Sequence, residues 1–160
     1  MIFKTADLSD KYEGKVQIVH PGFTNYGGHS CFYGKMVTVN ADGDNSRIRE
    51  QVNSDGQGKV LVIDNQASMS CAMLGDMLAA KAIENGWQGV FINGCIRDSV
   101  DISKMAIGVK AIGTNPLRSV KNDQGELDVE VEFAGACFRP GEYLYSDDDG
   151  VLLSAQALEF

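Results

Sequence analysis

The sequence contains no apolar run approaching the roughly 18 residues that a membrane-spanning helix requires. Its first residues, Met1-Ile2-Phe3-Lys4-Thr5-Ala6-Asp7-Leu8, have neither the charged start nor the continuous apolar stretch of a secretory leader. A cytoplasmic location is therefore expected. Basic residues are also scarce, with 14 Lys and Arg against 22 Asp and Glu, a net charge of −8. Sequence-independent nucleic-acid binding needs a basic stripe to neutralise phosphates, so that class is excluded. A basic protein partner and a small, locally held anion both remain open. The cysteines, at 31, 71, 95 and 137, form no C-x-x-C pair, and His20 and His29 are the only histidines. No Cys/His zinc cluster follows from such spacing, and scattered thiols read as reduced, mostly core residues. Missing too are G-x-G-x-x-G after a strand, G-x-x-x-x-G-K-[ST], H-E-x-x-H and G-x-S-x-G, which removes support for a dehydrogenase, a P-loop NTPase, a zincin or a serine hydrolase.

What is present suits one globular α/β domain, residues 1–160, whose 44% apolar content allows a real core. Thr5 to Tyr12 reads as a short helix with Thr5 as its N-cap, and Cys31 to Val39 as a strand. Asp42-Gly43-Asp44-Asn45 turns the chain into a helix over 46–52. Lys59 to Asp64 is nearly all apolar, as a strand buried on both faces should be. Leu74, Leu78 and Ala82 recur at helical spacing, Gly86 closes that helix, and Gly89 to Ile92 forms the next buried strand. Strand 59–64, helix 75–85 and strand 89–92 thus make a central β-α-β unit. After residue 107 come short strands at 107–112, 128–133, 136–138, 143–145 and 151–153, the second with strict alternation and so one solvated face. Trp87 reads as a packing anchor, and Asp147-Asp148-Asp149-Gly150 as an exposed acidic turn or a cation loop.

Two loops flanking the β-α-β unit could carry chemistry. Met73-Leu74-Gly75-Asp76-Met77-Leu78 opens a helix whose first N–H groups lack intrahelical partners and lie at the positive end of its dipole. Gly75 leaves room for a carboxylate or phosphate there, unless Asp76 merely caps its own helix. Asn93-Gly94-Cys95-Ile96-Arg97-Asp98 follows the second strand at its carboxyl end, where ligands of parallel sheets collect. Arg97 offers a planar donor fork to an oxoacid, and Asp98 a hard oxygen ligand for a hydrated Mg²⁺. A salt-bridged Arg97 and a helix-capping Asp98 are the alternative.

Gly75-Asp76, followed at a distance by Arg97-Asp98 and then Asp101, resembles the RraA-like family of ribonuclease-activity regulators and metal-dependent 4-hydroxy-4-methyl-2-oxoglutarate aldolases. Phe23-Thr24-Asn25-Tyr26-Gly27-Gly28, Pro140-Gly141-Glu142 and Asp149-Gly150-Val151 extend the likeness over the chain. The resemblance implies a β/β/α fold like the swivelling phosphohistidine domain, assembled as a homotrimer with clefts between subunits. It further implies that the amides of Gly75, Asp76, Met77 and Leu78 hold a substrate carboxylate and that Arg97 contacts the oxo group, oriented by Asp76. Asp98 is then the direct protein ligand of Mg²⁺ or Mn²⁺. Longer aldolases add an acidic residue from a neighbouring subunit through a C-terminal region that has no evident counterpart here.

Two functions follow as expectations. One is aldol cleavage of a 2-oxo acid with oxaloacetate decarboxylation beside it, since both reactions pass through the enolate of pyruvate. The other is inhibition of ribonuclease E by binding its basic segments through an acidic surface.

Overall fold

The computed structural model describes residues 2–160. In chain order the elements are α1 (Thr5–Lys11), β1 (Val16–Ile18), β2 (Thr24–Asn25), β3 (Phe32–Asn40), α2 (Ser46–Val52), β4 (Lys59–Asp64), β5 (Ala72–Leu74) and α3 (Asp76–Glu84). They continue with β6 (Gly89–Ile96), α4 (Ser99–Ile102), β7 (Gly108–Thr114), β8 (Glu126–Leu127), β9 (Val131–Phe133), β10 (Ala136–Phe138), β11 (Tyr143–Ser146) and β12 (Val151–Ser154). The main sheet runs β1-β12-β11-β3-β4-β6-β7-β2, with β5 added to β6 and β8 to β3, while β9 and β10 pair only with each other. Its centre, β3-β4-β6-β7, is parallel. Its flanks are antiparallel, through β11, β12 and β1 on one side and β2 on the other. No helix among the described residues is long and apolar enough to cross a membrane.

The apolar runs of β4 and β6 are explained by the two layers they serve. Leu61, Ile63, Val90 and Ile92 point into a core with Ile48 and Val52 of α2, Leu78, Ala79 and Ala82 of α3, and Ile102 of α4. Val60, Val62 and Phe91 alternate to the opposite face, against Phe138, Leu144, Leu153 and Val131. A strand with helices on one side and a β-layer on the other has no wet face, so its sequence shows no polar alternation. Trp87 is the anchor expected: it is buried, its Nε1 donates to the Ser54 carbonyl at 3.2 Å, and a Cβ on Gly56 would meet its ring at 2.2 Å.

Several local expectations are corrected by tertiary partners. Strand β6 continues four residues past Ile92, because Cys95 and Ile96 pair with β5 on one side and with Gly113 and Thr114 on the other, beyond an irregularity after Ile92. Only Arg97 and Asp98 of the expected 93–98 loop therefore leave the sheet. The 128–133 strand is split. Asp128 takes a left-handed backbone (φ 52°) and donates its N–H to Thr38, so β8 joins β3 while β9 turns away to β10. Of the four free cysteines only Cys95 is buried.

The acidic turn is corrected in the same way. Asp147 is buried rather than exposed, and Thr5 is the first helical residue rather than the N-cap, which is Lys4. The Thr5 N–H and hydroxyl both donate to Asp147, at 2.7 and 2.6 Å, so a carboxylate 142 residues away caps α1. The buried Lys110 ammonium donates to the carbonyls of Asp147 and Gly150, tying this turn to β7. Burial pushes the Asp147 carboxyl up, but hydrogen bonds from Thr5, Asp149 and Gly150 outweigh it and leave the group below the ordinary carboxylate range. A depressed folded-state pKa contributes stability above the unfolded value, and that contribution is lost as pH falls through the folded one. Asp147→Asn is accordingly expected to cost about 1–3 kcal/mol at pH 7 in urea unfolding, with the gap from the parent narrowing below about pH 4. A gap independent of pH would contradict this account of the α1 cap.

Candidate functional site

Gly75 is the N-cap of α3, with extended backbone, and no side chain of its own segment caps the helix. The partner comes from the other loop. Asp98 Oδ2 accepts the Asp76 N–H at 3.0 Å. The Arg97 N–H donates to the Leu74 carbonyl at 2.9 Å, fixing the two segments side by side one residue earlier. A Cβ on Gly75 would lie 2.7 Å from Asp98 Oδ2 and 3.4 Å from Arg97 Nε, so the glycine is required by close approach and not by its dihedrals. Asp98 holds a left-handed backbone (φ 56°, ψ 38°), a conformation Asp adopts more readily than most residues, and its carbonyl accepts the Ile102 N–H to start α4. Asp98 therefore starts α4 with its backbone and caps α3 with its side chain.

The α3 N-terminus retains further capacity. The first intrahelical acceptance is by the Gly75 carbonyl from Ala79, and no acceptor among the described residues lies against the N–H groups of Met77 and Leu78. Leu78 is buried, Met77 is 79% exposed, and Asp98 is exposed. Arg97 is half-buried, with no carboxylate within 4.0 Å among the described residues, so Asp76 and Arg97 are not an ion pair in this structure. Gly75, Asp76, Met77, Leu78, Arg97 and Asp98 line one cleft of about 480 Å³, whereas Asp101 is exposed and outside its lining.

Most of the remaining cleft wall had no signature in the sequence. Arg49 contributes from α2, Asn45 and Asn53 from the two positions that cap it, and Lys81 from α3. Arg118, Ser119 and Lys121 come from a strap between β7 and β8. Backbone bonds from Ala72 to Leu117 and from Ser119 to Ala72 tie this strap to β5. At its other end, Asn45 donates to the Val120 carbonyl, and the buried Asp44 carboxylate accepts the Asn122 N–H at 2.5 Å. Burial raises the Asp44 carboxyl, but its bonds to Ser46, Asn122 and Gln124 prevail and hold it below the ordinary range. The helical spacing of 45, 49 and 53 was the one legible hint, and it also fits an ordinary solvated face.

A different group of ligand-type atoms lies on the β9–β10 hairpin, at Glu130, Glu132 and Cys137. Burial and the hydrogen bond to Glu130 push the Cys137 thiol up to about 11. A protonated thiol is a poor metal ligand, and these residues are outside the cleft lining.

The model of the RraA-like family, described as Aldolase/RraA, matches residues 5–153. The chain belongs to the RraA-like family. A relative from Laribacter hongkongensis, provisionally named a 4-hydroxy-4-methyl-2-oxoglutarate aldolase, is 48% identical over 158 residues, covering 99% of each chain. A solved structure from Geobacillus kaustophilus, called S-adenosylmethionine:2-dimethylmenaquinone methyltransferase, is 45% identical with TM-score 0.96, covering 98% of this chain and 97% of that one. The RNA-processing inhibitor RraA of Thermus thermophilus is 34% identical with TM-score 0.96, covering 99% and 96%. The RraA-like fold is thus shared by relatives described in three different ways.

If the Asp98–Asp76 contact organises the mouth of the cleft, Gly75→Ala must break it. The Asp76 amide should then exchange with solvent as fast as those of Met77 and Leu78 in hydrogen-exchange NMR, with about 1 kcal/mol lost in unfolding, as for other lost caps. Retained protection at Asp76 would show that the contact is not needed there.

Proposed function

We propose that this chain is a divalent-cation-dependent lyase acting on 2-oxo acids. In this reading it cleaves 4-hydroxy-4-methyl-2-oxoglutarate to two pyruvates and releases CO₂ from oxaloacetate. The single observation that carries the reading is the Asp98 carboxylate resting on the first amide of α3, beside Arg97 and the uncommitted Met77 and Leu78 amides.

Each residue has a part that follows from its chemistry. The N–H groups of Met77 and Leu78, at the positive end of the helix dipole, bind the carboxylate next to the oxo group. Gly75 keeps this approach open. Arg97 directs its guanidinium to the 2-oxo oxygen, where negative charge grows as the carbon–carbon bond breaks. Asp76 anchors Asp98 through its backbone and adds its own carboxylate to the cleft lining. Asp98 is exposed and supplies hard oxygen, the donor type that suits Mg²⁺ or Mn²⁺ retaining most of its waters, so the residues present fit such an ion. When bound, a dication supplies positive charge to the enolate oxygen that bond cleavage creates.

The alternative descriptions of the relatives are weighed by charge. S-adenosylmethionine carries a sulfonium cation, and a cleft lined by Arg49, Lys81, Arg97, Arg118 and Lys121 against Asp76 and Asp98 favours an anion. Exposed Met77, Leu117, Val100 and Val120 lie on or next to the cleft-forming segments, which suits the neighbouring subunit of the expected homotrimer.

The test is pyruvate release from either substrate with Mg²⁺, with and without chelator. Activity is expected to vanish with chelator and in Asp98→Ala, and Arg97→Lys should lower kcat by about 10²–10³, the usual cost of one lost oxyanion donor. Undiminished turnover in Asp98→Ala would refute the reading.

A second reading is favoured by the net charge of −8 together with the likeness to RraA. An acidic surface would bind basic segments of ribonuclease E, using the outside of the molecule rather than the cleft. Such a complex should weaken sharply between about 50 and 200 mM salt in a pull-down, and its absence at low salt would dispose of this reading.

A further inference from the structure

A second cavity, of about 360 Å³, shares no lining residue with the cleft. Its walls come from α1, the segment between β1 and β2, β7, and the turn and strand over 148–152. Val109 and Ala111 of β7 point into the helix-side core, so Lys110 between them projects to the opposite face of the sheet, toward this cavity. Only 3% of Lys110 is accessible, and no carboxylate lies within 4.0 Å of its ammonium among the described residues. An ammonium has three protons to donate. Two go to the carbonyls of Asp147 and Gly150, at 2.5 and 3.2 Å, which leaves one for the cavity that Lys110 lines. Burial outweighs the pull of the acidic turn and holds the ammonium below the ordinary lysine range, as befits a charge short of a counter-ion. The two carbonyls bracket Asp148 and Asp149, whose exposed side chains line the same cavity. Asp148 accepts from Asn25 and Ser30, at 3.1 and 3.3 Å, while the Asp149 carboxylate has no hydrogen-bond or ion-pair partner among the described residues. Ile18, Val19, Pro21, Phe23, Val151 and Leu152 supply an apolar wall. The bond from the Val19 amide to the Val151 carbonyl and the Asp147 cap on α1 hold these walls together.

We infer that this cavity binds a zwitterionic α-amino acid with an aliphatic side chain. Lys110 takes the α-carboxylate, Asp149 takes the α-ammonium, and the apolar wall takes the side chain. The two charges of an α-amino acid hang on one carbon, so the groups that read them must be neighbours. Lys110 meets this condition, being bonded to the carbonyls on either side of the Asp148-Asp149 pair. A simple anion would face the carboxylates of that pair, and a simple amine would face the buried ammonium, whereas a zwitterion offers each the opposite charge. The carboxylate also gives Lys110 the counter-ion that the chain withholds, through a charge-assisted bond in a water-poor setting. A volume of about 360 Å³ falls within the range of small-molecule sites, about 300–1,000 Å³. The site lies apart from the cleft and does not rest on the lyase reading.

The experiment is calorimetry on the full chain at low salt with three probes: L-leucine, 4-methylpentanoate and 3-methylbutylamine. The second lacks the ammonium of leucine and the third its carboxylate, and both keep its aliphatic body. Leucine is expected to bind about tenfold more tightly than either, the value of one charge-assisted hydrogen bond. Asp149→Asn keeps the backbone amide that donates to Asp147, and it should bring leucine within about threefold of 4-methylpentanoate by weakening leucine alone. Lys110→Met should weaken leucine and 4-methylpentanoate by about tenfold each. Should that buried change prevent folding, Asp149→Asn, at an exposed position, decides the matter. In NMR, leucine should shift the amides of 18–23 and 148–152 and leave those of 75–78 in place. Absence of leucine binding by the folded chain, equal affinities for the three probes, or a preference that survives Asp149→Asn would each overturn the site. Shifts confined to 75–78 would put the ligand in the cleft and overturn it as well. Pyruvate release is measured separately, so failure here leaves the lyase reading standing.

Discussion

The hydrogen bond from the Asp76 amide to the Asp98 carboxylate, next to that from the Arg97 amide to the Leu74 carbonyl, holds together two chain segments 22 residues apart in the lining of the cleft. Everything around it serves that contact. Strand β6, buried along all eight residues, delivers Arg97 and Asp98 to a fixed point, and β5 beside it delivers Gly75. The absence of a side chain at Gly75 leaves space for the carboxylate, and the helix dipole gives it a favourable potential. An exposed charge is ordinarily mobile and weakly held. Here it is restrained by a backbone donor on one side and its own left-handed turn on the other.

The parts of this arrangement that could be read in the amino-acid order are those with local causes. Buried parallel strands announce themselves as apolar runs, so 59–64 and the start of β6 were legible, as were α2 and the helix closed by Gly86. Gly75-Asp76 and Arg97-Asp98 were legible as two loops flanking the β-α-β unit, and their joining in one site was implied by the family resemblance. That Asp98, and not Asp76, caps α3 was not visible, because a cap donated from another segment leaves no trace near the helix it serves. The same reason hides Asp147 as the cap of α1. Sequence patterns also overran where tertiary pairing interrupts them: the alternation through 128–133 is genuine, but Asp128 divides it between β3 and the hairpin.

The cationic wall belongs to the same class of hidden feature. Arg49, Arg118 and Lys121 are unremarkable in their own neighbourhoods, and only the return of the strap past α2 and β5 makes them neighbours. A chain that is acidic on average can therefore still line one cleft with several basic residues. Average charge decided which macromolecules to exclude, but it was silent about what a cleft of about 480 Å³ would attract.

The turn at Asp98 places two unrelated demands on one position. Its backbone lies in a region open to glycine, asparagine and aspartate but strained for bulkier or branched residues, and its side chain must supply an anionic oxygen short enough to reach the next segment. Glycine and asparagine meet the first demand and fail the second, while glutamate carries the charge on a longer arm and a less accommodating backbone. Aspartate alone satisfies both demands, so a replacement here should cost α3 its cap, α4 its opening turn, or both at once.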